Sequence, residues 1–156
     1  MTITADSIEV IVARARAMIE QLQKPNGPAA EKLLKLRPRD EDYAAVFVGA
    51  AVASARAGYA GLWAAPPAWP VKPDQTTVRI GGAYAEDFAK SDEPRTKPFP
   101  GGYVGISPHL VPGRIWMVWE HVAPGARDGI SFDGLVALPD HFAWFPKPWR
   151  VVPQPA

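Results

Sequence analysis

The sequence predicts an α+β fold in which N-terminal helices pack on a curved, cone-like antiparallel sheet. Residues 7–61 carry apolar positions at helical spacing, and residues 76–151 carry apolar runs parted by turn signals. The second pattern is sharpest from Arg114 to Arg150: RIWMVWEHV, a PGARDG turn, ISFDGLVAL, a PD turn and HFAWFPKPWR read as an antiparallel meander. Trp116, Trp119, Trp144 and Trp149 lie in this stretch, and a sheet with aromatics on both faces needs a cover of helices, ligand or another chain. The length of 156 residues and an apolar fraction of 47% fit one domain, 1–156, with a substantial core.

Asp6 and Glu9 have capping-box spacing, and Ile8, Ile11, Val12, Ala15, Met18, Ile19 and Leu22 follow as one helical face, so a first helix is expected from Ser7 to Gln23. Lys24-Pro25-Asn26-Gly27 should stop it. Pro28 suits the first position of a short second helix, AAEKLLKL, which Arg37-Pro38-Arg39 breaks. Asp40 can cap a third helix, with Glu41 and Asp42 at the positive end of its dipole and Tyr43, Val46, Phe47, Ala50 and Ala51 on its apolar face. The small residues of VGAAVASARAGYAG invite close packing. Gly58 or Gly61 is expected to end this helix, with Trp63 at or just past the end.

APPAWPVKP, residues 65–73, is too rich in proline for a helix or a central strand and reads as a stiff connector. Thr76 to Ala83 is a strand expected to end or bulge at Gly81-Gly82, Ala85 to Lys90 a single helical turn, and Ser91 to Gly102 a mobile polar loop. In the meander, Ile115, Met117, Trp119 and His121 should share one face of the first strand, opposite Trp116, Val118, Glu120 and Val122. In the second, Ile130, Phe132 and Val136 oppose Ser131, Asp133 and Leu135, with a bulge at Gly134. In the third, Phe142 and Trp144 oppose His141, Ala143 and Phe145, and Pro146 and Pro148 stop the ladder.

Composition narrows the function. With 17 basic and 16 acidic residues the net charge is +1, which offers no field for nucleic acid or an acidic membrane. The basic residues near the second helix are followed at once by Asp40, Glu41 and Asp42, the mixture of a solvated face. The absence of cysteine removes disulfides, thiolate catalysis and thiolate metal sites. The N-terminal segment has early acids and no unbroken apolar run, so it does not read as a secretory signal, and the expected location is the cytoplasm.

Helices first, a short strand, an excursion and then long antiparallel strands: this order resembles the nuclear-transport-factor-like superfamily of cone-shaped folds and the overlapping cystatin-like grouping. The segments FPGGYVGI and SFDGLV…WFPKPWR look like parts of uncharacterised bacterial proteins of that architecture. The resemblance implies a cone-like sheet that often pairs as a homodimer. It implies no single activity, because the superfamily holds isomerases, dehydratases and cyclases as well as binding and dimerisation modules.

The residues frame two expectations. The first is a non-enzymatic module that holds a protein partner, or a second copy of itself, through an aromatic, proline-framed surface. Its binding residues would be Trp63, Trp69, Tyr103, Trp116, Trp119, Trp144 and Trp149, because several of these aromatics stand beside prolines or at element ends. The second is a small apolar-ligand binder or acid/base enzyme in which His121 and Asp133 pair across neighbouring strands, with Glu120 and Tyr103 as polar companions. The nearest alternative for that pair is a structural hydrogen bond or two separate surface groups. The sequence has no HExxH, no G-x-S-x-G elbow and no phosphate loop around its glycine pairs, so no metal or cofactor is expected.

Overall fold

The computed structural model describes residues 5–24, 32–65, 68–90 and 92–152, with side chains from Ile8 onward. Helix α1 spans Ala5–Gln23, α2 Asp42–Val46 and α3 Ala51–Trp63. Strand β1 spans Thr77–Tyr84. An excursion with a short helix α4, Gly102–Ile106, then leads to β2, Ile115–Val122, β3, Ile130–Leu138, and β4, His141–Trp144. Single 3-10 turns lie at Leu33–Leu36, Ala85–Ala89, Pro94–Thr96, Ser107–His109 and Pro148–Arg150. The side chain of Asp6, residues 25–31 with the predicted stop, Pro28 and the start of the second helix, Pro66, Pro67, Ser91 and the last four residues lie outside the described residues. Among the described residues no helix is long and apolar enough to cross a membrane.

The predicted class is the observed one: helices packed with a curved, unclosed antiparallel sheet in the order β1-β2-β3-β4. Strand β1 pairs with β2 without interruption from Thr77↔Val122 to Tyr84↔Ile115. Gly81-Gly82 therefore neither ends nor bulges the strand. Gly82 makes room for α1: a Cβ there would stand 3.0 Å from Val12 Cγ2. The apolar stripe of α1 packs on this face, with Ile8, Ala15, Ile19 and Leu22 buried.

Gly134 does form a bulge. Met117 faces Leu135 while Val118 faces Asp133, which leaves Gly134 as the extra residue, at φ +91°. One inserted residue shifts the alternation by one. Leu135 thus lies on the face of Phe132, and Val136 on the face of Asp133, the reverse of the expected assignment. The face toward α1 carries Met117, Trp119, His121, Phe132 and Leu135. The opposite face carries Ala83, Trp116, Asp133, Val136 and Ala143.

The predicted third helix is two helices. Between them Phe47 bridges Leu110, Val48 N–H donates to His109 O at 2.9 Å, and Gly49 takes φ +56°. Strand-like pairing with the excursion overrides helix continuity there. Gly58 does not end α3 either. It lies inside the helix, where a Cβ would meet Val151 Cγ1 at 2.4 Å, and Ser54 Oγ and Tyr59 Oη donate to Val151 O and Pro146 O at 2.6 and 2.9 Å. The segment expected as a polar loop is anchored by Phe99, whose ring lies 4.8 Å from Phe88 and 5.3 Å from Tyr103. Aromatic burial, about 1.5–3 kcal/mol for a ring of this size, outweighs the turn-forming bias of the surrounding Pro and Gly.

On the face away from α1, Phe145 is the hub. Its ring packs against Tyr43 at 5.6 Å, Phe47 at 5.4 Å, Tyr59 at 5.7 Å and Trp116 at 6.2 Å. The first two contacts reach from the C-terminal strand to the helices of the first third of the chain.

Candidate functional site

His121 lies under α1, wholly buried. Trp119 Nε1 donates to its Nε2 at 3.1 Å, so the ring proton sits on Nδ1 and is donated to Gln23 Oε1 at 2.7 Å. Both nitrogens are satisfied by a neutral ring, and burial lowers its pKa to about 4. Trp69, from the proline-rich connector, stands edge-on to the imidazole at 5.2 Å and stacks on Phe132 at 5.9 Å.

Asp133 lies on the other face, nine-tenths buried. Its Oδ2 accepts from Tyr103 Oη at 2.7 Å and from Lys147 N–H at 3.0 Å, and its backbone oxygen accepts from Trp144 Nε1 at 2.8 Å. The expected His121–Asp133 pair is not formed. The cross-strand partner of His121 is Ile130 and that of Asp133 is Val118, and the pleat sends the two side chains through opposite faces. Glu120 does not join them: its carboxylate pairs with Arg79 at 3.3 Å and accepts from Ser131 Oγ at 3.4 Å.

The aromatic set is mostly core. Trp63, Tyr103, Trp116, Trp119 and Trp144 are buried, and only Trp69 and Trp149 are half-buried. The rings were expected at a rim because prolines flank them. The prolines instead turn the connector and the C-terminal segment back over the sheet, which encloses the rings. The indole N–H groups of Trp63 and Trp116 are buried with no acceptor among the described residues. Trp149 lies against α4, where a Cβ on Gly102 would meet its Cδ2 at 2.4 Å.

Among the described residues, two of the openings border β3. One is a cleft of about 440 Å³ on the face away from α1. Its floor is Gly81, Val118 and Ser131, Pro98 and Pro100 frame one side, and the Arg79–Glu120 pair stands over it. Ile80, Trp119 and Phe132 line it only through their backbone, since alternation turns their side chains to the other face. Arg79 is held in place by the carbonyls of Arg127 and Ala126, at 3.3 and 3.4 Å. The second opening is a slot of about 360 Å³ between α3 and the outer end of β3. Ser131 to Asp133 border both.

Sequence reasoning missed a charged cluster at the β3–β4 turn, where β4 begins. His141 Nε2 meets the buried Asp42 carboxylate at 2.8 Å and Nδ1 meets Asp140 at 2.5 Å, while Arg39 closes on Asp140 at 3.0 Å. Two carboxylates, one on each nitrogen, call for an imidazolium. Burial works to lower the His141 pKa, but the bonds to Asp42 and Asp140 outweigh it and the pKa is raised. The adjacency of Asp140 and His141 was visible in the sequence. The distant partner Asp42 was not. No family model, curated protein or solved structure matches the chain.

Proposed function

We propose that this chain is a non-enzymatic binding module that holds an extended segment of a protein partner in the proline-framed cleft over Gly81, Val118 and Ser131. The observation that carries this reading is a stretch of sheet face left open beside two rigid prolines. Pro98 and Pro100 fix one wall before a partner arrives, which lowers the ordering cost of binding. The cleft joins the apolar Val118, Pro98 and Pro100 to the small Gly81 and Ser131, with a charged pair at its side, a mixture found at interfaces. The internal satisfaction of His121 and the opposite placement of Asp133 argue against the acid/base alternative. The helix-then-curved-sheet order supports kinship with the cone-fold superfamily, and a cytoplasmic, bacterial-type adaptor or self-pairing module fits the near-neutral charge.

The test fills the cleft. A Cβ on Gly81 has only Pro98 Cγ near it, at 3.8 Å, so Gly81→Phe occupies the cleft while the strand keeps its register. Native mass spectrometry of the protein captured from its own cells should show a second polypeptide on the wild type, absent from Gly81→Phe at unchanged melting temperature. Equal retention by both forms would remove the cleft from the proposal. A retained small molecule in place of a polypeptide would favour the ligand-binding alternative.

A further inference from the structure

We infer that the partner segment, where it leaves the cleft past Ser131, is acidic and adds as a strand to the open edge of β3, where Lys147 and Arg150 receive its carboxylates. This deepens the partner reading above and rests on it. Strand β4 ends at Trp144, and the Asp133 carbonyl is taken by Trp144 Nε1, so residues 130–132 of β3 are paired with β2 alone and have no strand on their other side among the described residues. That is ~10 Å of open edge at about 3.3 Å per residue, and an unpaired edge is a template for an incoming extended chain. The slot beside it is walled by the half-buried Leu62 of α3 and Pro146, which offer apolar contact to the side chains of such a strand, over the buried rings of Tyr59 and Trp144.

The charges around the slot choose the partner. The one acid lining it, Asp133, is already engaged by Tyr103 and the Lys147 N–H. Lys147 and Arg150 also line it, both exposed, and neither side chain has a hydrogen bond or ion pair among the described residues. The backbone adds a second reason. Lys147 sits at φ 47°, ψ 56°, left-handed and directly before Pro148, a conformation that strains any residue other than glycine. A cation stands at the one described position where a non-glycine residue has positive φ. Such outliers cluster at binding and catalytic sites, which motivates the inference without carrying it.

The probe is a fluorescein-labelled eight-residue peptide of alternating Glu and Val, read by anisotropy at low salt, against the same peptide with Lys for Glu. The full chain should bind the acidic peptide, release it as salt rises, and ignore the basic one. The double variant Lys147→Gly, Arg150→Gln removes both cations while glycine accepts the left-handed turn, and it should bind about tenfold or more weakly with no loss of melting temperature. No binding by the wild type, equal binding of the basic peptide, or an unchanged affinity in the double variant would each overturn the inference. The two readings fail separately. A natural partner that the double variant still captures, but Gly81→Phe does not, leaves the cleft and removes the acidic edge.

Discussion

The Tyr103 hydroxyl donates to the Asp133 carboxylate at 2.7 Å, joining the excursion between β1 and β2 to the bulged strand β3. The ring is wholly buried, and burial first, then the Asp133 charge, pushes the phenol well above its usual range, so it stays a donor at every physiological pH. Tyr103→Phe leaves a buried carboxylate with one donor fewer and should cost about 1–3 kcal/mol, read as a lower urea midpoint at constant slope. A midpoint equal to the wild type would mean that water replaces the hydroxyl.

His121 and His141 should give the stability profile two opposed flanks. The unfolded chain protonates His121 near 6.5, and the folded one only near 4, so stability falls as pH drops through that interval, by about 3 kcal/mol in total. His141 has the opposite sign. Its raised pKa contributes stability in full below 6.5, which is lost as pH rises through the folded value. Stability should therefore peak near 6.5. Denaturation series should show His121→Gln flattening the acid flank and His141→Gln the basic flank. Superimposable profiles for either variant would show that its ring does not titrate with folding.

Neighbouring glycines should respond differently. Gly102→Ala forces a Cβ to within 2.4 Å of the Trp149 ring and should cost about 1–3 kcal/mol, with a shift in tryptophan emission. Gly101 has nothing within 4 Å of its Cβ position, so Gly101→Ala should stay within about 0.5 kcal/mol of the wild type. Equal effects at both sites would show that Trp149 moves freely off α4.

Substitutions at Lys147 should rank by their tolerance of a left-handed backbone. Lys147→Gly should match or exceed the wild-type melting temperature, and Lys147→Val should fall below it, because a β-branched residue at positive φ adds to the strain. A Val variant as stable as Gly would mean that the turn rearranges without losing the Asp133 contact.

Local patterns were legible in the sequence, and consequences at a distance were not. The seven-position apolar stripe gave α1, and ISFDGLVAL gave β3 with both ends in place. Gly134 was readable as a bulge. Its effect on Leu135 and Val136 was not, because a strict period of two carries no information about an inserted residue. Prolines around Trp69 and Trp144 suggest, by composition, the frame of an exposed surface. The stacking of Trp69 on Phe132 depends on where the connector crosses the sheet, which composition does not encode. The partners of His141 and Asp133 likewise lie on elements far along the chain, Asp42 and Tyr103, whose approach only the fold supplies.

The hub at Phe145 sets a clock for the growing chain. Tyr43 and Phe47 are made roughly 100 residues before their partner, an interval of about 5–20 s at ~5–20 residues per second of translation. During that interval the helices present their aromatic faces without the strand that closes over them. Assembly of this part of the core therefore waits until Phe145 has been made, and the half-made chain is the form in which a chaperone that grips exposed aromatics would meet this protein.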